Sequence, residues 1–318
     1  MVLRVENVSK AYDGRPVLRD VSFSVSKGSV TSLIGPSGVG KTTLLKIIAG
    51  LETPDAGTLS FAEPPSREHP AILVFQDYLL FPNLTVFENV AFGLRARKVA
   101  RKEIERRVME LLDHFQLADK RREYPATLSA GQRQRVAIAR AMVVNPTLLL
   151  LDEPFANLDR NLKLHTAEFI RDTQKTFGVT TIAVTHDQEE AFLMSDTVGV
   201  MLDGSLAQFA PAREVFLDPA GLEVARFLGP VNILPEGLAR RLGVARKDGT
   251  WYVRPEHLLL TPRPDGMGVV TEAVFAGHLV RYTVDADGTE LTIFSNDTTV
   301  RIGERVGLAV NKPEENRP

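Results

Sequence analysis

The segment Gly35-Pro36-Ser37-Gly38-Val39-Gly40-Lys41-Thr42, continued by Thr43, carries Gly35, Gly40, Lys41 and Thr42 at the spacing of a phosphate-binding P-loop. Such a loop works only between a buried strand and the start of a helix, so it constrains the fold around it. The residues before it, 29–34, are rich in β-branched and apolar types, and 43–49 continue as a helix to Gly50. Glycines let backbone N–H groups turn inward around phosphate oxygens, the helix start adds partial positive charge, and Lys41 adds a full one. Thr42 is then placed to hold Mg²⁺. The pattern predicts a bound nucleoside triphosphate; a purely structural glycine turn is the weaker alternative.

With 318 residues, 44% of them hydrophobic, the chain can build one substantial core and a second smaller one. No uninterrupted run of about 18 apolar residues occurs, and residues 1–6 alternate like a strand rather than a leader, so a soluble cytoplasmic chain is expected. Zero cysteines exclude disulfides, thiolate zinc sites and cysteine nucleophiles, and the six histidines show no paired metal-ligand spacing. Mg²⁺ is the one metal expected. A net charge of -2 and a pI near 6.3 give no global attraction for nucleic acid.

Strands and amphipathic helices alternate through the first two thirds, which predicts an α/β domain with a mainly parallel sheet. Ile104, Val108, Leu111, Leu112 and Phe115 form one helical stripe, and Leu162, Phe169, Ile170 and Phe177 form another; both predict helices with one buried face. Residues 147–151 and 179–184 are short apolar or β-branched runs, as central strands covered on both faces require. Ligands of open α/β sheets sit at the carboxyl ends of such strands, which makes Asp152, Glu153 and His186 site candidates. Beyond residue 229 the pattern becomes short alternating runs at 251–254, 258–260, 269–275, 279–284, 290–294 and 305–310, with a hairpin at Asp287-Gly288. A small closed or partly closed β-barrel suits them, because closure removes exposed edges. The expected organisation is a first domain over 1–228, a linker over 229–234, a barrel over 235–312 and a frayed tail over 313–318.

A triphosphate-splitting site needs an acid on the metal side and a group that orients and deprotonates water. Leu148-Leu149-Leu150-Leu151-Asp152-Glu153 supplies adjacent carboxylates after a buried strand, Asp152 for Mg²⁺ and Glu153 for water. Successive strand residues point apart, so the two carboxylates can serve two tasks. Leu128-Ser129-Ala130-Gly131-Gln132-Arg133-Gln134-Arg135 starts a further helix that Ser129 can cap and whose amides can meet another phosphate.

Through this third segment the chain resembles the ATP-binding cassette family. The resemblance spans the first domain: the P-loop, Gln76 in Val74-Phe75-Gln76, the signature 128–132, Asp152-Glu153, Asn157-Leu158-Asp159 and Thr185-His186-Asp187. It implies a P-loop NTPase fold with a helical subdomain, ATP and Mg²⁺ as cofactors, and ATP hydrolysis. It implies further that Tyr12 stacks on adenine, that Gln76 contacts Mg²⁺ and the attacking water, and that His186 contacts the γ-phosphate. Tyr12 beside Asp13-Gly14 could instead pack a hairpin, and His186 could be a satisfied strand-end histidine. Family members pair two-fold, Ser129, Ala130, Gly131 and Gln132 of one copy closing on ATP held by residues 35–43 of the other, with Asp159 on the seam. The chain departs from the usual pattern in Ala130, where glycine is commoner, in Ala156-Asn157-Leu158-Asp159, and in a short segment 58–74 that trims the subdomain near Tyr12.

A lone cassette followed by a β-barrel resembles the ATPase subunit of bacterial solute importers. Phe227-Leu228-Gly229-Pro230-Val231-Asn232 and Val253-Arg254-Pro255-Glu256-His257 resemble the linker and barrel of importers for sulfate, molybdate, polyamines, ferric iron and sugars, and lean toward an inorganic anion. The resemblance implies a second cassette subunit, most simply an identical one. It also implies membrane permease subunits, an indirect periplasmic or lipoprotein solute-binding partner, and a peripheral place on the cytoplasmic face of the membrane. The permease is expected to dock on 77–88, where Tyr78, Leu79, Leu80, Phe81 and Leu84 look exposed around Pro82; packing against the helix at 101–117 is the alternative. Arg95, Arg97, Lys98, Arg101, Lys102, Arg106 and Arg107 read as a solvated helix face rather than a lipid or nucleic-acid surface. A cassette ATPase of DNA repair or translation is disfavoured, since tandem cassettes and long coiled-coil insertions are absent.

Overall fold

A computed structural model describes residues 1–156 and 160–311; Asn157, Leu158 and Asp159 and the segment 312–318 lie outside the described residues. The chain divides into two compact units, Met1–Val215 and Phe216–Pro318, and the segment 229–234 lies inside the second.

In chain order the first unit contains β1 (Leu3–Tyr12), β2 (Arg15–Val25), β3 (Val30–Ile34), α1 (Lys41–Ile48), β4 (Ala56–Phe61), β5 (Ala71–Val74), α2 (Val86–Ala96) and α3 (Arg101–His114). It continues with α4 (Ala130–Met142), β6 (Leu148–Asp152), α5 (Arg160–Phe177), β7 (Thr180–Thr185), α6 (Gln188–Met194), β8 (Thr197–Leu202) and β9 (Ser205–Pro211). Six strands form one sheet in the order β5-β6-β7-β3-β8-β9, parallel throughout except at the edge strand β9. A separate antiparallel sheet has the order β2-β1-β4.

Every residue of β3, β6 and β7 is buried. Side chains alternate across a strand, so Leu148, Leu150, Ile182 and Val184 pack with α1 and the small sheet, whereas Leu149, Leu151 and Ala183 pack with α2, α3 and α4. Each such leucine contributes about 1.5–3 kcal/mol of burial. The stripe Ile104, Val108, Leu111, Leu112 and Phe115 is buried as its spacing predicts. On α5, Ile170 is buried and Phe169 meets Phe115 edge-on at 5.0 Å, but Phe177, expected inside, is 42% exposed. It is the last residue of its helix, followed by Gly178 (φ 62), and the His114 ring at 5.0 Å and the Phe115 ring at 6.3 Å cover only one side of it.

On α3 two members of the basic run, Arg106 and Arg107, are paired within their own helix. Glu103 accepts from Arg106 at 2.7 Å and Arg107 at 2.5 Å, and Arg106 also reaches Glu110 at 2.7 Å. Arg106 and Arg107 hold the Glu103 carboxyl down to about 2, from an ordinary 4.5. A depressed acid stabilises the fold fully above its unfolded value, and the contribution is lost as pH falls from about 4.5 to about 2. An NMR titration of Glu103 should show a midpoint near 2; an ordinary midpoint would mean that the ion pairs do not form in solution.

α7 (Ala212–Leu217) crosses the division, and α8 (Leu222–Phe227), β10 (Asn232–Ile233), α9 (Glu236–Leu242) and β11 (Tyr252–Val253) follow. Then come β12 (Leu258–Pro262), β13 (Gly268–Phe275), β14 (Val280–Ala286), β15 (Thr289–Ser295) and β16 (Arg305–Val310). These last five make an antiparallel sheet in the order β12-β16-β13-β14-β15, with β12 and β15 as its hydrogen-bond edges packed near each other. The hairpin falls at Asp287 (φ 55) and Gly288 (φ 77), the left-handed pair that a two-residue turn needs. Leu238, Ala239 and Leu242 of α9 join Leu258, Tyr282, Val284, Leu291 and Ile293 in one core. Asn232 clips this core by donating to Thr292 O at 2.8 Å and accepting from Thr292 N at 2.7 Å. No helix among the described residues is long and apolar enough to cross a membrane.

Candidate active site

β3, β5, β6 and β7 are parallel and close together, so the residues leaving their carboxyl ends converge. β3 leads into the glycine loop and α1. Gly40 caps that helix at φ 102, and a Cβ there would lie 2.7 Å from both Leu18 and Val17 O. At Gly35 a Cβ would lie 2.3 Å from Met201 O. One glycine is demanded by backbone angle and space, the other by space alone. Pro36, Ser37 and Gly38 are exposed on the rim, with Val39, Thr42 and Thr43 half-buried behind them.

Lys41 is 5% exposed and donates to Gly35 O at 2.8 Å and Pro36 O at 3.0 Å. Burial pulls its pKa down, while Glu153 and Asp152 push it back up. The ammonium therefore rests on loop carbonyls, inside a cradle suited to anionic oxygen. Thr42 Oγ1 donates to Asp152 Oδ1 at 2.9 Å. Burial raises the Asp152 pKa and the Thr42 hydrogen bond opposes the rise. Among the described residues no group of three or more acids or histidines could hold a metal by itself. The hard oxygen pair Thr42 and Asp152 nevertheless fits Mg²⁺, which takes few protein ligands and completes its shell with water and phosphate.

Gln76, Glu153 and His186 line one cavity of about 250 Å³ together with Phe155, Lys163, Thr185 and Glu190. Glu153 sits at φ 46, and its N–H donates to Val184 O at 3.0 Å, turning its carboxylate away from that of Asp152. His186 Nδ1 lies 3.3 Å from Glu153 Oε2. Lys163 was not foreseen as part of this wall. It bridges Asp187 Oδ2 at 3.1 Å and Glu190 Oε1 at 2.8 Å, tying α5 to the cap of α6 directly behind His186. The Glu190 hydrogen bond raises the Lys163 pKa and keeps the ammonium charged, while burial pushes the Glu190 carboxyl up and the lysine opposes that rise. No local pattern marks a lysine whose partners lie 24 residues away or more.

Ser129 caps α4 in a reciprocal box: Gln132 N donates to its Oγ at 3.2 Å, and its own N–H donates to Gln132 Oε1 at 2.9 Å. Ala130 lies outside the positive-φ region, so its methyl is accommodated at the helix start. At Gly131 a Cβ would lie 3.3 Å from the end of the Leu162 side chain, a tight contact that the leucine would have to yield to. Ser129 is exposed, and residues 129–132 do not line the cavity of Glu153. Tyr12 belongs to the small sheet instead, 41% exposed at the end of β1, with Lys10 Nζ 5.4 Å from its ring centre. Asn157, Leu158 and Asp159 lie outside the described residues.

The segment 77–88 is only partly the exposed apolar loop expected. Tyr78 is buried at 8% exposure and Leu80 is half-buried against the helical core, because Tyr78 (φ 60) and Leu79 (φ 42) turn the chain inward, and Leu84 is half-buried too. Leu79, Phe81 and Phe92 remain exposed, the last unforeseen, with the two phenylalanine rings 4.5 Å apart. Arg140 donates to Leu79 O at 2.8 Å and Tyr78 O at 2.9 Å, and Asn89 donates to Phe81 O at 3.1 Å and Leu84 O at 2.9 Å. The patch is thus held from below by two polar side chains.

Residues 18–156 match the family described as ABC transporter, and residues 252–313 match the TOBE domain. Over 250 residues the chain is 45% identical to a spermidine/putrescine import ATP-binding protein of Aliivibrio fischeri, covering 77% of this chain and 67% of that one. It is 45% identical over 282 residues to a molybdate/tungstate import ATP-binding protein of Thermococcus kodakarensis, covering 83% and 84%. It is 41% identical over 271 residues to a sulfate/thiosulfate import ATP-binding protein of Thermosynechococcus vestitus, covering 84% and 81%. The matched region spans about two thirds of the length of several polyamine relatives. Among solved structures, cbiO1 from Clostridium perfringens, part of the ABC transporter complex cbiONQ, superposes with TM-score 0.64 at 33% identity over 68% of this chain and 91% of that one. A dimeric ATP-binding cassette with ADP and phosphate bound superposes with TM-score 0.59 at 30% identity, covering 66% and 99%.

Proposed function

The chain belongs to the ABC transporter family as one of its ATPases, and from that premise we propose that it is the ATP-hydrolysing subunit of a membrane importer for a small solute. The observation that carries this reading is the single cavity lined by Gln76, Glu153 and His186, within electrostatic reach of the buried Lys41. In this reading the loop amides of 35–43 and Lys41 hold the triphosphate, and Thr42, Asp152 and Gln76 hold Mg²⁺. The bound cation would neutralise phosphate charge. Glu153 accepts the proton of the attacking water. His186 engages Glu153 through Nδ1, leaving its other ring nitrogen for the γ-phosphate. Tyr12 offers its exposed ring to adenine.

The exposed start of α4 suggests that Ser129, Ala130, Gly131 and Gln132 complete the site of a second, identical copy. That arrangement is consistent with the dimeric cassette it superposes on. Closure then depends on the γ-phosphate, and hydrolysis releases it. Leu79, Phe81 and Phe92 form the surface we assign to the permease subunits, which places the chain peripherally on the cytoplasmic face. A solute-binding protein acts with the permease on the other side, and no nucleic acid takes part. The relatives divide between polyamine and oxyanion importers at nearly equal identity, so the lean toward an inorganic anion is not carried further.

Ser129→Arg tests the second-copy assignment. ATP binding by the isolated chain should stay within about twofold, while hydrolysis falls by about 100-fold or more, the scale of losing a phosphate-side donor. Loss of nucleotide binding by the isolated chain would place Ser129 in its own copy's site and refute the reading.

A further inference from the structure

The imidazole of His186 is 56% exposed, so packing alone does not hold it against Glu153. Its place is set by the turn that carries it, and that turn is closed by its neighbours' side chains. Thr185 Oγ1 accepts from Asp187 N at 3.0 Å and donates to Glu190 Oε2 at 2.6 Å, and Asp187 Oδ1 accepts from Glu190 N at 3.3 Å. Each carboxylate has one oxygen left over, Asp187 Oδ2 and Glu190 Oε1. Both end on the ammonium of Lys163, at 3.1 and 2.8 Å.

Lys163 comes from a different helix, α5, and lines the same cavity as Glu153 and His186. Glu190 is 4% exposed, and both burial and the Asp187 charge oppose its ionisation. Two carboxylates drawn together over one turn need a cation between them; without it the buried one must take a proton or swing out to water. Either response loosens the ring of hydrogen bonds beneath His186. The ion-pair partners of Lys163 described here, Asp187 and Glu190, are not among the groups assigned to phosphate or Mg²⁺, so the lysine can act on the rate without acting on nucleotide binding.

We propose that Lys163 is a positioning residue for hydrolysis: from α5 it clamps Asp187 and Glu190, and so keeps His186 in contact with Glu153. The proposal rests on the assignment of Glu153 and His186 to the hydrolytic site.

The test measures ATP turnover, nucleotide affinity and the NMR signals of the His186 ring in the full chain. Lys163→Met should lower kcat by about 10- to 100-fold, the scale of a group displaced by about 1 Å, while ATP affinity stays within about twofold. Lys163→Arg, whose fork can serve two carboxylates, should bring kcat back to within about threefold of the native chain. In the native background Glu153→Gln should move the His186 ring signals, because the two side chains meet. In the Lys163→Met background the same substitution should no longer move them. A lysine that only stabilised the fold would leave that response intact. Should Lys163→Met fail to fold, Lys163→Gln, which keeps a polar group beside the carboxylates, takes its place in both measurements. Native kcat without the lysine, or a His186 response to Glu153→Gln that survives its loss, would overturn the proposal. His186 signals that ignore Glu153→Gln in the native background would instead remove the contact itself, and with it the assignment on which the proposal rests.

Discussion

Glu153→Gln is expected to lower ATP turnover by about 10²- to 10⁴-fold, the usual range for losing a positioned general base, while ATP still binds. The amide has the shape of the carboxylate, so the φ 46 backbone and the N–H bond to Val184 O survive. It cannot take a proton from water, and its meeting with His186 Nδ1 changes from a charged contact to a neutral one. Because closure needs the γ-phosphate and release needs its loss, the variant should accumulate as an ATP-loaded dimer. Turnover under Mg²⁺ and nucleotide content after gel filtration measure both effects. Normal turnover would remove Glu153 from its role and leave the cavity without a base.

Lys41→Ala is expected to weaken ATP binding by about 10- to 150-fold, from a charged hydrogen bond worth roughly 1.5–3 kcal/mol. The lysine is buried and lies on Gly35 O and Pro36 O, so phosphate oxygens would exchange a carbonyl contact for a full counter-charge. Removing it also takes from Asp152 one of the two α1 cations that favour its charged form, leaving Lys46. Equilibrium titration with a fluorescent ATP analogue checks the value. Unchanged affinity would mean that the triphosphate is held elsewhere.

Much of the candidate site's local geometry was legible because its motifs are written in short, contiguous spacings. The glycines of 35–40 answer to backbone angle and to Val17, Leu18 and Met201, and the acids after β6 answer to strand direction; neither depends on distant partners being known. The buried stripe of α3 follows from helical period alone. What escaped the sequence depends on contacts between remote segments. Lys163 meets acids 24 and more residues on, and Arg140 braces carbonyls 61 and 62 residues back. Tyr78 was expected outside as part of an apolar docking loop, but two left-handed residues in succession fold it under. Phe177 was expected inside because periodicity is blind to where a helix stops. α9, at 7 residues, is too short to show a stripe and is defined by its packing on the second core. Residues 253–257 read in the sequence as a family likeness only, since the burial of Arg254 beside Phe216 is a property of three-dimensional packing.

The central claim is that one ATP is held between the glycine loop of one copy and the Ser129 helix of another. It is tested most directly by mixing fluorescently labelled Lys41→Ala and Ser129→Arg chains, both also carrying Glu153→Gln, with Mg²⁺ and ATP. Neither chain should dimerise alone, the first lacking the cradle and the second the closing turn. The mixture has one intact composite site per pair, so energy transfer between the two labels should appear on adding ATP. A mixture that stays monomeric, or a Ser129→Arg chain that dimerises by itself, would contradict the shared site.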